Sequence, residues 1–379
     1  MIRVLTYNEI DREEWSKLVQ TSATGTWFQM PEAYEFFASQ PKLFKPFVVG
    51  VIYDPAGAQT LLRGVSVGYV TVERNPIKQY FTRRAIIIGG PCFADDCTDE
   101  EVNALLCALK STLLSGRDGV GSPIYIETRN FNSYEKWKGA FEKAGFEYKR
   151  HLNFHVDCTD KEKMWERLSE TRRRQIRKVT NEGVKEFTNE RVKELASEGV
   201  SEQDVREWYE ILTELYRTKV KTPLWPVEFF LEFYRQKRGI YLLRKHEGKV
   251  IGGMMAVIMK PTPNPFLKEG EKEQPQNRPQ NGAIYEWYIC GLDAEYKEKY
   301  PSVMATWAAM EYANTHGLAR FDVMGAGVPD VPYGVRDFKA EFGGQLVEHG
   351  RFICVREPLL YEIGALAVKM MKGAKKIKN

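Results

Sequence analysis

The chain is poor in the residues that build metal centres and covalent frameworks. Its six cysteines (92, 97, 107, 158, 290 and 354) are scattered, and Cys92 and Cys97 have no second pair at ligand spacing. That pattern argues against a zinc site and against a disulfide framework. Five dispersed histidines add no metal motif, so no metal and no other cofactor is expected. Long apolar runs are also missing. No stretch approaches the roughly 18 uncharged apolar residues of a membrane span, and Met1 to Ile10 contains no apolar leader core. With reduced thiols, this gives a cytoplasmic expectation. A large charge of one sign is absent too: the formal net charge is +4, which allows a phosphate-bearing partner without demanding one.

What is present is enough apolar material for real cores, 43% over 379 residues, and a length that suits two domains. The most informative stretch is Phe321 to Gly327, Phe-Asp-Val-Met-Gly-Ala-Gly, followed by Gly334 to Gly344, Gly-Val-Arg-Asp-Phe-Lys-Ala-Glu-Phe-Gly-Gly. An apolar strand stops at a glycine turn, and a short helix then carries Lys339 between Phe338 and Phe342. A lysine framed by rings can hold fixed positive charge where an oxyanion develops.

Two halves of the chain read alike. Each has two helices, three strands, a helix, a strand, a further helix and a closing strand, from period-2 runs, helical apolar spacing and glycine stops. The closing segments align: Phe141-Glu-Lys-Ala-Gly145 leads to a strand with His151 and Phe154, and Lys339-Ala-Glu-Phe-Gly343 to one with His349 and Phe352. Phe141 therefore stands where Lys339 stands, and only the second copy carries the lysine. The expected layout is a first domain over 1–157, a second over 158–356, and a C-terminal amphipathic helix with a basic tail over 357–379, free to pack back on the first domain. The tail also suits peripheral contact with an anionic membrane face. The second domain opens with a long helix over 160–181, started by a capping box at Thr159 and Glu162. Its apolar stripe of Trp165, Leu168, Ile176 and Val179 includes Arg172, which points to a paired or ligand-facing guanidinium. A proline-rich polar stretch over 260–282 reads as a flexible hairpin insertion.

This order resembles the tandem GNAT acyltransferase fold of the Fem family, aminoacyltransferases that use aminoacyl-tRNA to extend peptidoglycan precursors. The resemblance rests on Arg172-Arg-Arg-Gln-Ile-Arg-Lys178 followed by Glu182-Gly-Val184, on Gly291-Leu-Asp-Ala-Glu-Tyr-Lys297, and on Trp307-Ala-Ala-Met-Glu-Tyr-Ala313. To these it adds Phe321-Asp322 and Phe338-Lys-x-x-Phe-Gly343. It implies an α/β (α+β) fold of two GNAT-like domains, each a central mixed sheet flanked by helices. It implies aminoacyl-tRNA as donor and a nucleotide- or lipid-linked cell-wall precursor as acceptor, at the inner face of the membrane. It gives Phe338 and Lys339 a part in the transfer step, and it implies basic residues on the acceptor diphosphate, for which Arg217, Lys219 and Lys221 stand in about the right place. The lysine that such enzymes carry near the second helix of the first half is missing from Met30-Pro-Glu-Ala-Tyr-Glu-Phe-Phe-Ala38, and the long helical-hairpin arm of some members is absent.

Tyrosines supply further candidates. Tyr285, Trp287 and Tyr288 lie on the strand expected to border the cleft, and Tyr333 precedes the Lys339 helix. A hydroxyl there can orient an amine or relay its proton. Tyr288 is the catalytic candidate among them, while Tyr285 and Tyr333 are binding candidates. Asp322 either secures the glycine turn or binds substrate, with the first role favoured.

Three functions stay open on the sequence: aminoacyl transfer from tRNA, acyl-CoA-dependent N-acyl transfer to an amino sugar, and binding without chemistry. CoA recognition needs a glycine-rich nest at a helix N-terminus. The segment from Cys290 to Pro301 has one glycine and three acidic residues, which favours the first function over the second. Lys339 in its aromatic frame argues against the third.

Overall fold

A computed structural model describes residues 1–54, 61–73, 75–114, 122–181, 199–260 and 282–373. The 260–282 insertion, the Gly183 helix stop and the end of the basic tail therefore fall largely or wholly outside the described residues. The strands are β1 (Ile2–Leu5), β2 (Phe44–Tyr53), β3 (Leu61–Thr71), β4 (Arg84–Gly89), β5 (Cys92–Phe93), β6 (Tyr125–Asn130), β7 (Glu147–Lys149) and β8 (Leu152–Asp157). They continue with β9 (Ile240–His246), β10 (Lys249–Met259), β11 (Ala283–Gly291), β12 (Arg320–Asp322), β13 (Gln345–Glu348) and β14 (Arg351–Val355). The helices are α1 (Arg12–Thr21), α2 (Pro31–Ala38), α3 (Pro76–Thr82), α4 (Asp99–Leu114), α5 (Lys138–Lys143), α6 (Lys161–Arg167) and α7 (Glu170–Asn181). After these come α8 (Glu202–Leu215), α9 (Val227–Arg235), α10 (Pro301–Thr315), α11 (Gly334–Ala340) and α12 (Pro358–Gly373).

The chain forms two compact units, and their limits differ from the 157/158 boundary expected from the sequence. One unit contains Met1–His151 and His349–Asn379; the other is Leu152–Glu348. Each predicted closing strand is split between the sheets. The first sheet runs β1-β2-β3-β4-β6-β14-β7 with β5 on β3, and the second runs β13-β8-β12-β11-β10-β9. So β8 lies in the second sheet between β13 and β12, and β14 lies in the first between β6 and β7. The physical reason lies in the duplication. Both strands carry the same apolar alternation, and either could present a core face to either sheet. Phe352 of β14 stacks on Phe141 with ring centroids 4.1 Å apart, while Leu152, Phe154 and Val156 of β8 enter the core of the second unit. Residues 357–373 fall with the first unit, where Tyr361 of α12 meets Tyr125 at 5.2 Å.

In the second unit, β11 and β12 are parallel and paired through Ala283, Ile284 and Tyr285 against Arg320, Phe321 and Asp322. Beyond that register β12 ends and β11 runs on to Gly291, so the strands part. On its other side, where it pairs with β10, β11 has a bulge opposite Met255/Ala256. One extra residue lets Trp287 and Tyr288 both turn to the α8–α9 side, while Glu286 turns to the other. Trp287 packs on Phe229 and Phe233, and Tyr288 on Phe230.

The long helix expected over 160–181 is two helices. Leu168 is extended, with ψ 146°, and Ser169 starts α7 by accepting the Arg172 N–H on its hydroxyl at 3.2 Å. The cap of α6 is Asp160, which accepts from Glu162 and Lys163. Thr159 instead spends its hydroxyl on Asp157. Among the described residues no helix is long and apolar enough to cross a membrane.

Candidate active site

Short helix α11 carries Lys339 beneath the end of β12. The side chain is 11% exposed, and its ammonium has three partners: Glu286 Oε1 at 2.8 Å, the Val323 carbonyl at 2.6 Å and the Gly325 carbonyl at 3.0 Å. An ammonium has three N–H donors, so all are engaged. Glu286 lies on β11 and is buried; desolvation raises its pKa, partly offset by Lys339. Sequence reading missed Glu286. The only available signal was a carboxylate within an otherwise apolar, aromatic strand, Ala283-Ile-Tyr-Glu-Trp-Tyr-Ile-Cys290.

The glycine turn after β12 is tied to the strand by two side chains. Asp322 Oδ1 accepts from the Met324 N–H at 2.9 Å and from Asn153 Nδ2 at 2.8 Å, and Asn153 Oδ1 accepts the Gly325 N–H at 2.8 Å. Asp322 Oδ2 lies 3.1 Å from His155 Nε2. Burial would raise the Asp322 pKa, but His155, Arg320 and Asn153 hold it below the ordinary value. These bonds fix the carbonyls of Val323 and Gly325, and so fix Lys339. Arg336 secures the next stretch by donating to the carbonyls of Ala326, Val328 and Val331 at 2.8, 2.5 and 3.0 Å.

The aromatic frame of Lys339 is joined from α7. Arg172 lies 4.5 Å from the Phe338 ring centroid and 5.3 Å from that of Phe342, whose own centroids are 5.3 Å apart. Its guanidinium also meets Glu341 at 3.3 Å and donates to Gln175 at 2.7 Å. Burial lowers the Arg172 pKa, against the charges of Glu341 and Asp293. Expected as a paired or ligand-facing guanidinium, Arg172 is paired with Glu341 and stacked on the two rings. Gly343 explains the close of the motif. At φ +73°, a Cβ there would stand 2.4 Å from the Arg167 carbonyl oxygen.

The other candidates divide. Tyr285 is fully buried; desolvation raises its pKa to about 12, with Arg320, whose guanidinium reaches the hydroxyl at 3.4 Å, acting against that rise. Tyr288 faces Tyr216 with centroids 6.2 Å apart. Tyr216, which sequence reading overlooked, is pushed up to about 12 by burial and then by Tyr333 and Cys290. Tyr333 is 43% exposed and its ring lies against Gly327. Three tyrosines, Tyr216, Tyr288 and Tyr333, are thereby brought together. Helix α8 does not continue to 218: Tyr216–Val220 form a π-helical turn ending on a left-handed Lys221, φ 59°. Arg217, Lys219 and Lys221 on this turn are exposed, and Arg217 is paired with Glu214 at 2.7 Å.

The segment after β11 leads to α10, whose first residue is Pro301, without an N–H. The next N–H, from Ser302, is held by Asp293 Oδ1 at 3.0 Å, and the Ser302 hydroxyl by Asp293 Oδ2 at 2.5 Å. A carboxylate thus already occupies this helix N-terminus. Among the described residues no group of three or more His, Cys, Asp or Glu could hold a metal ion.

The splayed parallel pair, with a helix N-terminus alongside, belongs to a mixed-sheet fold of the GNAT-like type, and the chain has two such sheets. The FemAB family model matches residues 280–369, which include β11, the Lys339 helix and β14. A structure described as the crystal structure of FemX superposes with a TM-score of 0.61 at 13% identity, over 95% of this chain and 99% of that one. The C-terminal domain of a putative lysylphosphatidylglycerol synthetase from Agrobacterium fabrum gives 0.47 at 10% identity, over 94% and 95%. A GCN5-related N-acetyltransferase from Sphaerobacter thermophilus gives 0.39 at 10% identity, over 93% and 94%. No functionally curated sequence matches. Residues 280–369 are thus similar to the FemAB family, and the whole chain shares the fold of FemX.

Proposed function

We propose that this protein transfers an aminoacyl group from charged tRNA to an amine of a peptidoglycan precursor or a related cell-envelope acceptor. The acceptor amine attacks the ester carbonyl carbon and a C–N bond forms. The carbonyl oxygen becomes an oxyanion. The C–O bond to the tRNA ribose then breaks, and the proton lost by the amine ends on the ribose oxygen. Lys339 is the group that stabilises the oxyanion. Its longest bond, to the Gly325 carbonyl at 3.0 Å, is the one an oxyanion replaces, while Glu286 and Val323 keep the ammonium in place. Phe338 walls this charge from water. Tyr288 and Tyr333, with Tyr216, offer hydroxyls to orient the amine and pass its proton. Lys219 and Lys221 serve acceptor phosphates.

The observation that carries the choice of donor is Asp293 on the N-terminus of α10. A CoA pyrophosphate would need those N–H groups and would meet the carboxylate. This favours tRNA over acyl-CoA N-acyl transfer to an amino sugar, and the FemAB match over residues 280–369 points the same way. A thermal-shift comparison of acetyl-CoA with a UDP-linked muropeptide tests the reading. Stabilisation by the muropeptide supports it; stabilisation by acetyl-CoA alone overturns it in favour of the CoA enzyme.

A further inference from the structure

The first unit contains a cationic cluster that the transfer reading does not use. Arg129 on β6 and Arg351 on β14 stand directly opposite in the ladder, and Lys149 on β7 continues the row beside Arg351. Like charges facing across a sheet are destabilising. All three point away from the core, because Ile126, Phe352 and Cys354 on the alternate positions face into it. Two guanidiniums share one carboxylate: Glu127 Oε2 accepts from Arg129 at 3.1 Å and Oε1 from Arg351 at 2.5 Å. Lys149 is neutralised separately by Glu147. Arg351 also donates to His151 Nε2 at 3.0 Å, which makes that nitrogen the acceptor.

A network built only for stability would balance its charges. This one keeps a surplus guanidinium, and it leaves donors unused. The Nε–H groups of both Arg129 and Arg351 are buried without a hydrogen-bond partner among the described residues. Such orphan donors are costly unless something fills them. Both side chains remain reachable, 33% and 30% exposed. Burial and the neighbouring charge of Arg129 both disfavour the Arg351 cation, with Glu127 opposing, whereas Glu127 outweighs burial at Arg129, so an added anion would chiefly relieve Arg351.

We infer that Arg129 and Arg351 form an oxyanion-binding site on this sheet face, for the carboxylate or phosphate group of a ligand. A guanidinium edge offers parallel N–H donors to two oxygens of such a group. One negative charge balances the cluster. The inference stands apart from the transfer reading, since binding alone is measured.

The test is thermal shift and calorimetry of the full chain with inorganic phosphate, pyrophosphate and acetate, each against sodium chloride of equal ionic strength. Wild type is compared with Arg129→Gln, which leaves a one-to-one Arg351–Glu127 pair and so keeps the sheet balanced. A second variant, Arg351→Lys, keeps the charge and removes the fork. The expected result is a saturable stabilisation by at least one oxyanion beyond the chloride control, weakened about tenfold or more in both variants. Response to acetate as well as phosphate identifies a carboxylate-competent site; response to phosphate and pyrophosphate alone identifies a phosphate site. Equal shifts in wild type and Arg129→Gln, or no shift beyond chloride, would overturn the inference.

Discussion

The guanidinium of Arg172 lies 4.5 Å from the ring centroid of Phe338, the residue that precedes Lys339. The arginine that interrupts the apolar stripe of α7 thus braces the lysine helix. Arg172→Met should remove the ring stacking and the Glu341 pair and cost about 2 kcal/mol. Denaturant titration checks the stability. In a transfer assay the loss should fall on kcat more than on KM, because the brace positions Lys339 and touches no substrate. An unchanged midpoint would contradict that role.

Lys339→Met alone leaves Glu286 buried without its cation. Removing one partner of a buried pair costs roughly 3–5 kcal/mol, so the single variant should be clearly destabilised. Adding Glu286→Gln should recover most of the loss. If the two losses simply add, the pair is not the coupled unit described here.

Glu127 gives the first unit an acid-sensitive term. Burial would raise its pKa, but Arg129 and Arg351 hold it at about 2. The unfolded carboxyl titrates near 4.3. The depressed value therefore contributes stability that is fully present above that pH and is lost as pH falls towards 2, on the order of 3 kcal/mol in total. Glu127→Gln should flatten the stability profile between about pH 4.5 and 2. A profile identical to wild type would contradict the assignment.

Gly343 is the tightest position in the motif. Gly343→Ala forces a Cβ against the Arg167 carbonyl at positive φ, and should destabilise by more than about 1 kcal/mol. Gly334→Ala, where a Cβ meets nothing within 4 Å, is the matched control.

The order of elements was legible because each half repeats one pattern of apolar periods and glycine stops, and the tandem GNAT-like fold was what the family resemblance implied. The strand exchange was not legible, because β8 and β14 share one alternation and periodicity does not name a partner. The split at Leu168 was hidden inside a continuous helical stripe; only the docking of Ser169 on Glu341, 2.9 Å from N–H to carbonyl, reveals it. Lys339, Phe338 and the Asp322 turn were visible as a local motif. Glu286 and Tyr216 were not, since they reach Lys339 and Tyr333 only through tertiary folding.

The central claim is that Lys339, held by Glu286, stabilises the transfer oxyanion for an aminoacyl-tRNA donor. The most direct measurement is single-turnover transfer of a radiolabelled amino acid from charged tRNA to an amine-bearing muropeptide. It compares wild type with the Lys339→Met, Glu286→Gln double variant, whose fold the paired change preserves. The expected result is transfer by wild type and a loss of about a hundredfold or more in the variant, at unchanged acceptor affinity. Undiminished turnover in the double variant would contradict the claim.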